Sequence, residues 1–253
     1  MRLSLRELSI SFPNPVGDML PALGPISFDV AEEEFVCVVG PTGCGKSSLI
    51  RALAGLLRPT AGSARYGDET IDNPMDRFAI MFQDASLMPW RTVLDNIALP
   101  LEIAGLPRDL RYDRVRALLS QLHLEQFERA YPAELSGGMA QRVALGRVIV
   151  QQPRVLLLDE PFGALDALTR EKLSLELLRL RQRYMQTIVM VTHDISEAVF
   201  LADRVIVLSR RPGRLVADIA VDLTRPRAPD LIYEKPFLQL TRRVRAEIED
   251  LGT

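Results

Sequence analysis

The segment GPTGCGKS at residues 40–47 most constrains what this 253-residue chain can fold into. It fits the pattern GxxxxGK followed by Ser or Thr. Apolar FVCVV precedes it as a predicted strand ending at Val39, and SSLIRALAGLL follows as a predicted helix beginning near Ser47. The pattern is specific in this order of strand, glycine-rich turn and helix. We therefore predict an α/β domain with a phosphate-binding loop. A glycine-rich turn that matches by chance is the alternative.

The residues of this loop have expected roles in holding a polyphosphate. Successive backbone N–H groups in such a turn form a concavity for anions. Lys46 is expected to place its ammonium between the β- and γ-phosphates and to assist catalysis, and the Ser47 hydroxyl to ligate Mg²⁺. The residues expected to line the site are Gly40, Pro41, Thr42, Gly43, Cys44, Gly45, Lys46, Ser47 and Ser48.

The segment RVLLLDE at 154–160 predicts a second part of the same site. A continuous apolar strand that is buried on both faces ends there in two adjacent carboxylates. At the carboxyl edge of a parallel sheet, Asp159 would hold the Mg²⁺ and Glu160 would orient or deprotonate an attacking water. The alternative is that both residues only begin a loop.

The two histidines differ in their expected positions. His193 follows the apolar strand TIVMVT, so it lies at the same predicted sheet edge as Lys46 and Glu160 and can reach a γ-phosphate. His123 lies in a helical segment, where we expect a structural or surface residue.

The segment LSGGMAQRVALGR at 135–147 indicates a second anion site. Ser136 stands where a helix N-cap belongs, and Gly137 and Gly138 let a ligand approach the backbone. The start of a helix carries free N–H groups and the positive end of the helix dipole. One chain therefore has two predicted phosphate sites about ninety residues apart, which are unlikely to face a single phosphate.

The remaining pattern predicts the domain organisation. Strands dominate before residue 85, a proline-punctuated helical insertion spans 85–135, and strands alternate with helices after it. Such alternation predicts a parallel sheet covered by helices. We predict a nucleotide-binding core with an antiparallel β subdomain (1–84 and 136–222), an inserted helical subdomain (85–135), and a C-terminal linker and helix (223–253).

Composition excludes several classes of protein. Hydrophobic residues make up 47% of the chain and charged residues 25%, as in ordinary globular proteins. A net charge of −2 gives no basic footprint for nucleic acid. The longest apolar runs are far shorter than a membrane span needs, and the amino-terminal segment does not resemble a secretory signal. We expect a cytoplasmic protein with two reduced cysteines.

GPTGCGKS, Gln83, LSGGMAQ, LLLDE, ALD and His193 occur in an order that resembles the ATP-binding subunit of an ABC transporter, and the resemblance covers nearly the whole chain. It implies a P-loop NTPase core with ATP and Mg²⁺ as cofactors. It also implies a homodimer packed head to tail, in which LSGGMAQ of one subunit covers the γ-phosphate held by the P-loop of the other. The two phosphate sites would then be two halves of one site.

The resemblance assigns further roles. Phe12 would stack on adenine, although a phenylalanine on an early strand is more often a core residue. Gln83 would bind Mg²⁺ and sense a permease, and His193 would contact the γ-phosphate. The residues expected to act across the dimer are Ser136, Gly137, Gly138 and Asp166.

FQDASLMPWRTVLDNIALPLEIAG and RRPGRLVADIAVDL resemble the nitrate, sulfonate and taurine importer group within the family. This implies uptake of a small solute through transmembrane permease subunits, with a periplasmic or extracellular solute-binding protein as an indirect partner. The chain would lie at the cytoplasmic face of the inner membrane, attached through the permease. Trp90 is either an anchor for a permease helix or a core residue.

Two other functions remain open. One is a soluble ABC ATPase that acts on nucleic acid or ribosomes, and the other is a small-molecule kinase. Three positions also depart from the family pattern. Glu33 stands where glycine commonly opens a turn, Ala140 stands where Arg or Gln is common, and Gly146 with Val148 interrupts an ARA-like run. Gly146 is expected to cost about 1 kcal/mol of helix stability against alanine.

Overall fold

A computed structural model describes residues 1–15, 17–163 and 165–249. Two β-sheets and seven α-helices make up this part of the chain. The strands are β1 (Leu3–Pro13), β2 (Met19–Val30), β3 (Phe35–Val39), β4 (Ala61–Tyr66), β5 (Glu69–Thr70), β6 (Phe78–Met81), β7 (Val155–Asp159), β8 (Thr187–Val191), β9 (Arg204–Leu208) and β10 (Leu215–Ala220). The helices are α1 (Lys46–Leu53), α2 (Val93–Ile103), α3 (Arg108–Leu119), α4 (Gly137–Ile149), α5 (Ala167–Tyr184), α6 (Ile195–Leu201) and α7 (Lys235–Glu249).

The larger sheet has the order β10-β9-β3-β8-β7-β6. Its strands are parallel except β10, which runs antiparallel to β9 at one edge. Every residue of β3, β7 and β8 is buried, which explains their uninterrupted apolar sequences. Because the strands are parallel, β3, β7 and β8 all end at the same edge of the sheet. The predicted parallel sheet is confirmed.

The smaller sheet is antiparallel and has the order β2-β1-β4-β5. Its inward side chains share one apolar core with α1 and with one face of the larger sheet, including Leu5, Val38 and Ile50. Helix α1 therefore lies between the two sheets, and the loop before it is fixed from both sides. This arrangement confirms the predicted α/β fold with an antiparallel β subdomain.

The segment between β6 and β7 is helical, as predicted, but not throughout. LEQFERAYP forms only short 3-10 turns, Glu125–Phe127 and Pro132–Glu134, so the predicted helical pattern is wrong there. Pro132 disfavours the helical conformation of the residue before it, and Tyr131 is accordingly extended, with ψ 158°. Helix α4 packs against both α2 and β6, and so connects this segment to the larger sheet.

The carboxyl-terminal region begins with an irregular linker after β10. A 3-10 turn (Pro229–Tyr233) precedes α7 (Lys235–Glu249), so the predicted order of linker and helix is observed. Helix α7 packs on α6 and β9 through buried Phe237 and Val244. The last four residues of the predicted 223–253 segment lie outside the described residues. The predicted boundaries 1–84, 85–135, 136–222 and 223–253 stay predictions.

Candidate functional site

A cavity of about 610 Å³ opens at the carboxyl edge of the larger sheet. The ends of β3, β7 and β8 and the amino-terminal end of α1 converge there. Ten predicted site residues line the cavity, together with Ala22 and Arg211: Phe12, Thr42, Gly43, Gly45, Lys46, Ser47, Ser48, Gln83, Glu160 and His193. The structure thus brings together residues that are up to 181 positions apart, from Phe12 to His193.

The loop before α1 offers backbone N–H groups to an anion. Gly45 is the N-cap residue at φ 99°, a conformation that favours glycine, and a Cβ there would lie 2.8 Å from the Ala22 carbonyl oxygen. In the described structure no side chain caps α1, and its first turn has no acidic residue. The positive end of the helix dipole therefore faces the cavity without a compensating group.

Lys46 is held within this loop. Its Nζ donates to the Gly40 carbonyl oxygen at 2.8 Å and to that of Pro41 at 3.2 Å, and the residue is 5% exposed. The side chain thus folds back over the loop and holds its curvature, while Lys46 itself lines the cavity. Pro41 and Cys44 are part of the loop but do not line the cavity, and Cys44 is buried beneath it.

Asp159 and Ser47 form a candidate site for a divalent cation. The Ser47 hydroxyl donates to Asp159 Oδ1 at 2.9 Å. Burial raises the pKa of Asp159, against the lowering effect of this hydrogen bond. A nearby cation would relieve that cost. One hydroxyl, one carboxylate and the Gln83 amide at the cavity wall are all oxygen donors, which is the donor set that Mg²⁺ prefers.

Glu160 and His193 form a pair at the cavity wall. Glu160 Oε2 lies 2.9 Å from His193 Nδ1. The Glu160 backbone has φ 44°, which is strained for a residue with a side chain, and its N–H donates to the Val191 carbonyl oxygen at 3.0 Å. Such strain concentrates at functional positions, and here the turn after β7 ends the strand and places the Glu160 carboxylate at the cavity. Exposed His123 lies away from the cavity.

Arg211 is a cavity residue that the sequence reasoning missed. It lies in the loop between β9 and β10, on the side of the cavity where Phe12 and Ala22 lie. Its Nε donates to the Pro21 carbonyl oxygen at 3.0 Å. Phe12 is 38% exposed, so the alternative that Phe12 is a core residue is wrong. No local sequence pattern places an arginine of a distant loop beside Phe12, so only the tertiary structure reveals Arg211 at this cavity.

Asp166 and the LSGGMAQ residues lie outside this cavity. Asp166 is the N-cap of α5 and accepts a hydrogen bond from the Thr169 N–H at 3.1 Å, which lowers the pKa of Asp166. Ser136 is the N-cap of α4 and accepts from the Met139 N–H at 3.3 Å. Neither Ser136, Gly137 nor Gly138 is among the residues that line the cavity around Lys46.

The site and fold agree with the comparison with known families. The family model described as ABC transporter matches residues 23–163, which is more than half of the chain. The chain belongs to the ABC transporter family. It is accordingly an ATP-binding and ATP-hydrolysing cassette, as the resemblance of its motifs predicted.

Similar proteins include named import subunits. A taurine import ATP-binding protein of Rhizobium johnstonii is 41% identical over 88% of this chain and 85% of its own. A nitrate import ATP-binding protein of a Synechocystis strain is 42% identical over 88% of this chain and 84% of its own. An aliphatic sulfonates import ATP-binding protein of Bacillus cereus is 38% identical over 98% and 96%. The resemblance to this importer group is confirmed.

Solved structures of cassettes are also similar. The dimeric structure of MJ0796, a bacterial ABC transporter cassette, has a TM-score of 0.78 and 30% identity, covering 88% of this chain and all of that one. A dimeric post-hydrolysis state of the same cassette with ADP and phosphate bound gives the same TM-score at 29% identity. Within the described ranges of the present chain, no helix is both long and apolar enough to cross a membrane.

Proposed function

We propose that the chain is the ATPase subunit of an importer and acts as a homodimer. In this dimer each MgATP lies between the Lys46 loop of one subunit and the Ser136 turn of the other. The observation that carries this proposal is the open space around Gly137 at the start of α4. The dimeric assemblies of similar cassettes support it.

Neither backbone conformation nor packing within the described chain requires a glycine at position 137. Its φ is not in the left-handed region, and a Cβ built on it has no atom of the described chain within 4 Å. Alanine would favour a helix at this position. At Gly138, by contrast, a Cβ would lie 2.5 Å from Thr169 Cγ2, so packing within the chain explains that glycine. A close approach by a group from outside the chain explains the glycine at Gly137.

The chemistry follows from the cavity. The amino-terminal end of α1 and Lys46 bind the phosphates, and Lys46 exchanges one backbone carbonyl for a phosphate oxygen when ATP enters. Bound Mg²⁺, held by Ser47, Asp159 and Gln83, would neutralise phosphate charge. Glu160 orients the attacking water and accepts its proton, because it is the carboxylate at the wall of the cavity. His193 holds the Glu160 carboxylate through Nδ1 and contacts the γ-phosphate.

Coupling to a permease is proposed to run through the segment from Gln83 to Trp90. Helix α4 holds the start of this segment. Gln141 Nε2 donates to the Gln83 carbonyl oxygen at 2.9 Å, and Arg147 donates to the carbonyl oxygens of Ala85 and Ser86. Displacement of α4 would therefore move both the ATP site and this segment. Trp90 is 71% exposed, so its alternative as a core residue is wrong, and we propose it as an anchor for a permease helix.

The solute is proposed to be a small anion such as nitrate, a sulfonate or taurine. The names of the similar import subunits support this class. The chain would be attached to the cytoplasmic face of the inner membrane through the permease, and a solute-binding protein would act through that permease. The alternative of an ATPase acting on nucleic acid or ribosomes is less favoured, because the net charge is −2.

The substitution Glu160→Gln tests this function. It keeps the size of the side chain and removes the proton acceptor, so we expect MgATP binding with hydrolysis slowed at least a hundredfold. The same variant should accumulate as an ATP-bound dimer on size-exclusion chromatography. Turnover like that of the unaltered protein would remove Glu160 from the role of base.

A further inference from the structure

A second cavity, of about 620 Å³, lies on another part of the molecule. It lies between the carboxyl-terminal half of α5 and the linker before α7. Its lining residues include none of those around the nucleotide cavity: Glu33, Leu175, Leu178, Arg179, Arg181, Gln182, Met185, Arg225, Pro226, Arg227, Ala228 and Pro229. Nothing in the proposed ATPase cycle uses this cavity.

The lining of this second cavity carries an excess of positive charge. Four of its residues are arginines and one is a carboxylate, Glu33. Asp203 lies behind the wall and pairs with Arg181 and with Arg225. Asp203 also accepts the Phe35 N–H at 2.9 Å, so its oxygens are already shared among three donors. One carboxylate cannot neutralise two arginines, and within the described part of the chain Asp203 forms no ion pair with Arg179 or Arg227.

Arg227 is the most unusual of the four arginines. It is 6% exposed, and its Nη1 donates to the Val199 and Phe200 carbonyl oxygens at 3.1 and 2.7 Å, near the end of α6. Its Nε and Nη2 have no hydrogen-bond partner in the described chain. Burial lowers the pKa of Arg227 to about 10. The two hydrogen bonds to carbonyl oxygens at the end of α6 satisfy Nη1. They leave most of the charge of this buried guanidinium uncompensated.

The rest of the lining is apolar. Leu175 and Leu178 of α5, Met185 directly after α5, and Pro226 and Pro229 of the linker line this part of the cavity. A site that binds only a hydrated inorganic anion would not need this apolar lining. A cavity with an apolar wall and a cluster of guanidinium groups matches a molecule that has a short hydrocarbon body and an anionic head. Guanidinium groups bind carboxylates through paired hydrogen bonds.

We propose that this cavity binds a small organic anion, such as a short-chain carboxylate. Its anionic group lies among Arg179, Arg225 and Arg227, and its hydrocarbon part lies against Leu175 and Leu178. The anion stabilises the buried charge of Arg227 and fastens the linker to α5. This site is separate from the nucleotide site and does not depend on the importer function.

Isothermal titration calorimetry of the full chain with hexanoate tests the proposal. We expect saturable binding of one hexanoate per chain, unchanged in the presence of MgATP. The uncharged 1-hexanol should bind at least tenfold more weakly. Absence of saturable binding would overturn the proposal. Displacement of hexanoate by ATP would place the anion at the phosphate loop instead, and equal binding of 1-hexanol would remove the requirement for an anion.

A pair of arginine variants on α5 locates the site. Arg179 is exposed at the cavity, and its side chain forms no hydrogen bond or ion pair with the residues that the structure describes, so Arg179→Gln should fold normally. It should weaken hexanoate binding at least fivefold. Arg183→Gln removes the same charge from an exposed residue of the same helix that does not line the cavity, and it should change binding less than twofold. Equal effects of the two variants would contradict the proposed position. A failure here leaves the behaviour of Glu160→Gln unaffected.

Discussion

The glycines of α4 have two different kinds of explanation. Some are explained by close contacts within the chain, and Gly137 by a contact that we propose with a group from outside it. Gly146 illustrates the first kind. A Cβ on it would lie 2.8 Å from Leu122 Cδ1 and 3.1 Å from Ile97 Cδ1, so the glycine lets α4 approach its neighbours closely. The expectation that Gly146 simply costs about 1 kcal/mol against alanine is therefore incomplete, because contact with these side chains offsets the gain in helix propensity.

Gly137 belongs to the second kind and gives a sharp prediction. Gly137→Ala should leave the isolated chain as stable as before or raise its stability by up to about 1 kcal/mol, since the added methyl meets open space. The same substitution should weaken MgATP-dependent dimerisation. Thermal unfolding and analytical ultracentrifugation measure the two effects. Gly138→Ala is the matched comparison: its Cβ would lie 2.5 Å from Thr169 Cγ2, so Thr169 must move and the isolated chain should be less stable than the Gly137→Ala protein. A Gly137→Ala protein that dimerises normally would contradict the explanation.

Glu197 predicts a pH dependence of stability. Burial raises the pKa of Glu197 to about 7, and its carboxylate accepts the Thr192 hydroxyl. A raised pKa in the folded state means that the protonated acid contributes stability below its ordinary pKa of about 4.5, and that this contribution is lost as the pH rises through about 7. The full effect is about 3 kcal/mol.

The substitution Glu197→Gln removes this titration and retains most of the shape of the side chain. The unfolding free energy of the variant should therefore change less than that of the unaltered chain between pH 5 and pH 8. Urea unfolding at a series of pH values measures the difference. Parallel pH profiles for the two proteins would show that Glu197 does not titrate in this range.

At the scale of elements, the long apolar strands were predictable and the irregular segments were not. FVCVV, VLLLD and TIVMV are buried on both faces, so their sequences alone indicate central parallel strands. Strand β10 was not predicted, because it lies at the edge of the sheet and only one of its six residues, Ile219, is buried, so it lacks the continuous apolar sequence of the central strands. Glu33, which stands where glycine is common in the family, adopts φ 63°, a conformation that the sequence alone cannot show.

The residues of the candidate site also divide into those that the sequence could place and those that it could not. Residues next to strand ends or in the glycine-rich loop, such as Lys46, Asp159 and His193, could be placed because local sequence fixes the end of each strand. Arg211 and the hydrogen bond from Gln141 to Gln83 could not, because tertiary packing alone brings those residues together. The catalytic and binding roles of all these residues stay predictions.

Arg170 connects two elements that meet at the site. Its Nη1 donates to Asp194 Oδ2 at 2.7 Å, and its Nη2 donates to the Leu165 carbonyl oxygen at 3.0 Å. Asp194 is the N-cap of α6 and directly follows His193, while Leu165 directly precedes Asp166. Arg170 is therefore a positioning residue that holds the segment with Asp166 against the segment with His193.

The substitution Arg170→Met should lower kcat several-fold and leave the KM for ATP nearly unchanged, because no phosphate contact is removed. Arg170→Lys should recover part of the activity, since it restores one of the two hydrogen bonds and the charge. Steady-state ATPase assays with folded protein measure both values. A purely structural role predicts lower stability with unchanged kcat in the remaining folded protein.

In the whole molecule, the two predicted phosphate sites are separate from each other. The P-loop cavity and the Ser136 turn lie in one chain but do not share a cavity, and α4 connects the Ser136 turn to the segment that precedes Trp90. In the proposed homodimer, a second copy of the chain would place its Ser136 turn opposite the Lys46 loop of the first. Both subunits would use the same surface for this contact. Closure of the proposed dimer would then move the segment from Gln83 to Trp90 in both subunits together.

Mixing two inactive variants tests this central claim most directly. Lys46→Ala removes the phosphate contact of one half of the site, and Ser136→Arg blocks the other half. In a mixed dimer both substitutions fall in one composite site and leave the second composite site intact. We predict that each folded variant alone fails to form an ATP-dependent dimer and that the mixture recovers it in part. If the mixture of folded proteins dimerises no better than the separate variants, nucleotide does not lie between two subunits as proposed.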